Sequence, residues 1–223
     1  MTFAEPVKSM LKKLCMVIIF SIAFAYIESA VVVYLRTIFH PEGFRFPLTT
    51  FGLTSHWRQL LLTEIGREAA TIVVIVTAAV LFGRNRREKA AYFLAIFAIW
   101  DIFYYVWLKV LINWPASMMD WDILFLIPVA WASPVLYPVL VSVAMFAFGL
   151  MILYRSALNQ TIRITTLDWI GLSAATAIVT TSFCIGGLHI TQTDYQSHFF
   201  WPLFACGYAI GIVLFLRCLL RPA

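Results

Sequence analysis

Ionisable side chains stand inside apolar stretches of this chain: Glu28 in one, Glu64, Arg67 and Glu68 in the next, Asp101 and Lys109 in a third. Carboxyl groups held in a water-poor setting can carry a proton, bind a cation or act as general acids and bases. Each charge at the centre of an apolar helix costs about 2.5–3.5 kcal/mol on insertion scales, so such groups face a bundle interior and have partners. Spacing sharpens the point. Glu64, Arg67, Glu68 and Thr71 fall at i, i+3, i+4 and i+7, which sets them in one stripe of a helix. Asp101, Tyr105, Leu108 and Lys109 share a second face with Tyr104 beside it, and Ser21, Ala25, Glu28, Val32 and Arg36 share a third.

The carboxyls Glu28, Glu64, Glu68 and Asp101 outnumber Arg67 and Lys109, even with Arg36 added. Low dielectric forbids that excess in ionised form, so protons or a cation must offset it. The expectation is one ligand- or ion-binding site made from Glu28, Glu64, Arg67, Glu68, Asp101, Tyr105 and Lys109. The bland alternative is that Glu64 with Arg67, or Glu68 with Lys109, are interhelical salt bridges that fix register.

Metal chemistry has weaker support. His40, His189 and His198, with His56, lie in segments between apolar runs near Glu42, Asp120, Asp122 and Asp194, and imidazole and carboxylate suit zinc, manganese or iron. No HExxH, ExxH or CxxC spacing appears, so His40, His189 and His198 are weak metal candidates and solvated loop histidines are the plainer reading. Cys15, Cys184, Cys206 and Cys218 sit in or at the ends of apolar runs and read as packed free thiols. No motif requires a cofactor. The absence of a Walker loop and of a GxSxG elbow speaks against ATP-driven transport and serine hydrolysis within this chain.

The elements that must position these residues are membrane helices. Of 223 residues, 62% are hydrophobic and 12% charged, against about 25% charged in soluble domains. Long unbroken apolar runs predict an all-α, six-span bundle, a single transmembrane domain over residues 1–223, with helices near 14–35, 59–82, 90–112, 134–154, 169–188 and 200–219. The run Ile123 to Trp131 is too short to cross, contains Pro128 and precedes Pro134 and Pro138, which predicts a short re-entrant or interfacial segment before helix 4. Ala23-Phe24-Ala25 mimics a signal-peptide cleavage site, but the apolar run continues to Leu35, so an uncleaved helix is expected.

Lys8, Lys12 and Lys13, then Arg84, Arg86, Arg87 and Lys89, then Arg155 and Arg163, then Arg217 and Arg221 all fall on one side of that bundle, which predicts both termini in the cytoplasm. Trp57, Trp107, Trp114, Trp121, Trp131 and Trp201 gather near the opposite face as an aromatic belt. Counting at 1.5 Å per residue places Glu28, Glu64, Glu68 and Asp101 roughly 7–13 Å below the outer surface, with Lys109 near the boundary. Small size and short loops suggest a bacterial inner membrane. The net charge of +5 is spread in clusters beside apolar runs and suits anionic lipid head groups, with no basic face for nucleic acid. Gly207 and Gly211 at GxxxG spacing read either as close packing within the chain or as a homo-oligomer seam on helix 6.

Three functions compete. The first is proton- or cation-coupled carriage of a small solute through the outer-half site. The second is a membrane-embedded enzyme acting from the outer face on a lipid or quinone-like substrate. The third is a non-catalytic accessory subunit. Convergence of the carboxyls on a cavity would separate the first two from the third.

Overall fold

A computed structural model describes residues 5–48, 57–160 and 162–221 of the chain; His56 lies outside them. Among the described residues, six helices are long and apolar enough to cross a membrane. They are α1 (Glu5–Phe39), α2 (Trp57–Phe82), α3 (Arg86–Ile112), α4 (Leu136–Ala157), α5 (Thr166–Gly187) and α6 (Trp201–Leu220). The fold is thus of the helical membrane type. The helices match the spans read from the sequence, with α1 and α3 each starting earlier because their polar first turns continue the apolar run as helix.

Helix ends follow local chemistry. The Asn85 side chain accepts from the Arg87 and Glu88 amides and caps the start of α3, and Asn113 closes that helix in a left-handed conformation at φ 54°. Thr165 and Asp168 form a reciprocal capping box at the start of α5. Asp168 also accepts from Arg221 at 2.7 Å, which ties the basic end of α6 to the first turn of α5.

The third helix is the hub, packing against α1, α2 and α4. Val17 and Ala25 of α1, Ile75 of α2, and Tyr92, Ile96 and Trp100 of α3 form its buried core. The α4 contact is close because Gly149 leaves no room for a side chain: a Cβ there would sit 2.7 Å from the Ala91 carbonyl oxygen. The α5–α6 pair forms a second unit. Gly207 packs on Ile178 and Ala175, and Gly211 also faces Ala175, so both glycines point into the seam with α5 inside the chain.

Between α3 and α4 the chain does not stay helical. An all-α chain is expected from the sequence, but Trp121–Phe125 (β1) and Trp131–Pro134 (β2) form an antiparallel hairpin with Asp122 opposite Ser133 and Ile123 opposite Ala132. The short aromatic and β-branched run favours strand, and pairing two strands satisfies backbone groups that a single extended segment would leave bare. One side of the hairpin lies on α5, whose Gly186 and Gly187 meet the Ala132 and Ala130 carbonyls directly. On the other side Phe125 stacks near Phe97 and Trp100 of α3. An aromatic layer of Phe46, Trp121, Tyr195 and Phe199 covers the end of the hairpin farther from its tip.

The Gly187→Ala variant tests this docking, because the added Cβ collides with backbone that has no side-chain freedom. Overpacking of this kind costs about 1–3 kcal/mol or more. A lowered melting temperature in detergent is expected for Gly187→Ala, against little change for Gly66→Ala, whose surroundings are open.

Candidate functional site

Arg67 of α2 organises the polar residues. Its guanidinium pairs with Glu28 of α1 through Nη1 and with Glu64, one turn earlier on its own helix, through Nη2 at 2.8 Å and Nε at 2.9 Å. The second oxygen of Glu28 accepts from the Thr71 hydroxyl at 3.1 Å. Arg67 and Thr71, at i+3 and i+7 of the α2 stripe, therefore grip one carboxylate from α1, and Glu64 at i braces Arg67. The Ser29 hydroxyl adds a bond to the Tyr104 carbonyl at 3.1 Å, fixing α1 against α3 at the same level.

The other two carboxyls face different partners. Glu68 accepts the Leu126 amide at 2.8 Å, so the tip of the hairpin is held by a side chain of α2. Asp101 of α3 accepts from the Ser142 hydroxyl of α4 at 2.8 Å. Neither has a lysine or arginine within ion-pair distance among the described residues. Arg67 thus pairs with Glu28 and Glu64, while Glu68 and Asp101 are held by neutral donors.

Two cavities meet here. The first is a polar chamber of about 60 Å³ bounded by Glu28, Arg67, Glu68, Thr71, Asp101 and Tyr105, and roofed by Ile123 to Phe125 of the hairpin. One water needs about 10–15 Å³ measured this way, so the chamber holds about four waters or a group of a few heavy atoms. The second is an apolar groove of about 1210 Å³ between α3 and α4 on one side and α5 and α6 on the other, with Phe97, Val141, Met145 and Val179 in its walls. Asp101, Leu124 and Phe125 border both. The Trp100 and Trp131 indole N–H groups are buried without an acceptor among the described residues; Trp100 lines the chamber and Trp131 the groove.

Of the residues singled out from the sequence, Glu28, Arg67, Glu68, Asp101 and Tyr105 line the chamber, and Glu64 braces Arg67 from its rim. Lys109 stands apart. It is exposed and its Nζ donates to the Pro115 carbonyl at 2.9 Å, so it forms no pair with Glu68. The helical face it shares with Asp101 and Tyr105 turns outward over the last turn of α3.

Sequence spacing did not disclose the second buried ion pair. Arg36 and Asp122 meet at 2.8 Å, both nearly excluded from solvent, and the Tyr104 hydroxyl donates to Asp122 at 3.3 Å. Phe44 and Trp114, set edge to face, both lie against the guanidinium, with ring centroids 4.1 and 3.8 Å from its carbon. This cluster anchors the root of the hairpin to the end of α1. Ser142 was also missed, although a lone serine among Val, Leu and Ala of a membrane helix is the signal that could have found it.

The weak metal candidates separate into two places. His40 lies edge-on to Phe44, and burial, reinforced by the Arg36 charge, holds its imidazole below the ordinary range. His189 and His198 stack at 3.8 Å, His198 within 3.1 Å of Asp194 and His189 against the Ile185 carbonyl. Among the described residues no group of three or more His, Cys, Asp or Glu is placed to hold a metal ion. Compared with known protein families, curated proteins and solved structures, the chain matches none.

Removing the central cation leaves the buried Glu28 and the partly buried Glu64 without the countercharge they share. Breaking a buried pair on one side costs about 3–5 kcal/mol. Arg67→Met is expected to lose stability of that order in a denaturation series, and Arg67→Met with Glu28→Gln is expected to recover part of it, since glutamine keeps the Thr71 contact. Asp122→Asn, which leaves Arg36 buried without its countercharge, is expected to fall by a similar amount.

Proposed function

We propose that the chamber and the adjoining groove form one site for a membrane-soluble amphiphile, whose polar end meets Asp101 and whose apolar body lies in the groove. The observation that carries this reading is the position of Asp101 on the wall common to both cavities, where Ser142 of the groove donates to it. A chamber of about 60 Å³ has no room for an organic solute, while the groove has room for one but presents no charged side chain between Asp101 and Arg87. A hydrophilic cargo would meet apolar walls; a lipid or quinone-like molecule would find them suitable.

The chemistry available is acid–base. Glu68 and Asp101 have no paired cation among the described residues and can therefore exchange protons, and Asp101 is the one that a molecule in the groove reaches. As an acid, Asp101 would donate to a substrate bearing an acceptor oxygen. The basic ends of the helices orient the molecule with both termini and the Arg84–Lys89 turn in the cytoplasm. The hairpin is then a re-entrant segment from the outer face, and the site lies in the outer half of the membrane. Coupled carriage of a proton or cation remains the second reading, favoured only by the surplus of carboxyls.

A long-chain ketone carrying a diazirine in its tail tests the proposal with protein reconstituted in nanodiscs. Labelling is expected to concentrate on Val141, Val179 and Phe183. Asp101→Leu, which removes the acid and keeps its bulk, is expected to weaken saturable labelling about fivefold, the scale of one lost hydrogen bond between neutral groups. Labelling spread evenly over the lipid-facing residues, or unchanged in Asp101→Leu, would overturn it.

A further inference from the structure

The groove has a second polar end that the reading above does not use. Where α3 begins, it is bordered by Arg86 and Arg87 together with Asn85, Ser156, Asn159 and Gln160. Both arginines are exposed, and neither is in an ion pair among the described residues. The nearest acid, Glu88, is already engaged: one oxygen accepts from the Ser156 hydroxyl at 2.9 Å and the other from the Arg84 amide at 2.9 Å. Two guanidinium groups with no ion-pair partner among the described residues therefore stand beside side-chain amides at the mouth of an apolar groove.

We propose that the inner half of this groove binds an anionic phospholipid, its phosphate held by Arg86 and Arg87 and one acyl chain lying along α3. Guanidinium groups match phosphate oxygens in geometry and charge. The length fits as well. One leaflet of a hydrocarbon core about 30 Å thick is about 15 Å deep, which is about ten residues of helix. Ten residues carry the chain from Arg87 to Phe97, one turn short of Asp101. Its course passes Ala90, Phe93 and Leu94 of α3 and faces Phe148 and Ile152 of α4, all apolar. The lipid thus occupies the inner half and leaves the outer half, next to Asp101, free for the amphiphile; the two sites stand or fall separately.

The mainly apolar walls, interrupted by Ser142, Thr176, Thr180 and Tyr208, and a head-group-level mouth favour a lipid over a peptide, which would bring many backbone polar groups into a groove that offers them few partners. The phosphate is that of a lipid and not a free anion, because it is the chain in the groove that fixes it between the helices.

Native mass spectrometry of the detergent-solubilised full chain tests this with dioleoylphosphatidylglycerol, dioleoylphosphatidylcholine and inorganic phosphate as separate probes. Retention of one phosphatidylglycerol, preferred over phosphatidylcholine and not displaced by phosphate, is expected. Arg86→Gln with Arg87→Gln is expected to weaken it about tenfold or more. Arg84→Gln, adjacent but outside the groove, is expected to change it less than about twofold, the size of a screened surface charge. Ala90→Trp, which fills the path of the chain and keeps every charge, is expected to abolish retention. Equal retention of the two lipids, displacement by phosphate alone, an equal loss in Arg84→Gln, or full retention in the double arginine variant would each overturn the proposal. The arginine positions are exposed, so their variants fold even if Ala90→Trp does not.

Discussion

A guanidinium buried among apolar helices must be surrounded by acceptors, and Arg67 meets that demand with carboxylates from two directions, Glu64 on its own helix and Glu28 on α1. Such a pair gains little over a well-packed apolar contact, but breaking it is severe, so it fixes how α1 and α2 are rotated about the hub helix α3. Everything polar follows from that rotation. With Arg67 spoken for, Glu68 one residue on is turned toward the interior without a cation, and Asp101 faces α4, where Ser142 meets it.

Glu68 in turn explains how irregular backbone can lie among membrane helices. Non-helical chain is tolerated there only when its amides and carbonyls find partners. The two strands supply most of them to each other, Glu68 accepts the Leu126 amide at the tip, and the paired glycines of α5 let the β2 backbone approach without side chains between. At the root, Arg36 and Asp122 lock the hairpin to α1 while Phe44 and Trp114 shield the pair. The hairpin is thereby the roof of the chamber and the partition beside the groove. A small polar space and a large apolar one share Asp101 because the tip stops at that level.

The six helices and the polar stripe on α2 were legible in the sequence because both are periodic: hydrocarbon thickness sets the length of the runs, and 3.6 residues per turn set the stripe. Depth counting brought Glu28, Glu68 and Asp101 to one level for the same reason. Lys109 was misplaced because a helix face counted from Asp101 drifts with each turn and ends at solvent. The Arg36–Asp122 pair joins residues 86 positions apart, and no local pattern announces such a contact. The hairpin was anticipated only as a short non-crossing segment, since Pro128 and a brief apolar run suit several conformations. The groove was invisible, being a gap between helices whose residues individually read as core.

The contact on which this account turns is the one between Glu68 and the tip of the hairpin, because without it the chamber has no roof and Asp101 has no partition to border. Solid-state NMR on membrane-reconstituted protein, with 13C at the glutamate carboxyl and 15N at the leucine amides, measures it directly. A strong dipolar coupling that disappears in Glu68→Ala is the result this arrangement requires, in keeping with the 2.8 Å bond from Leu126. A spectrum with no coupling assignable to Glu68 would contradict it.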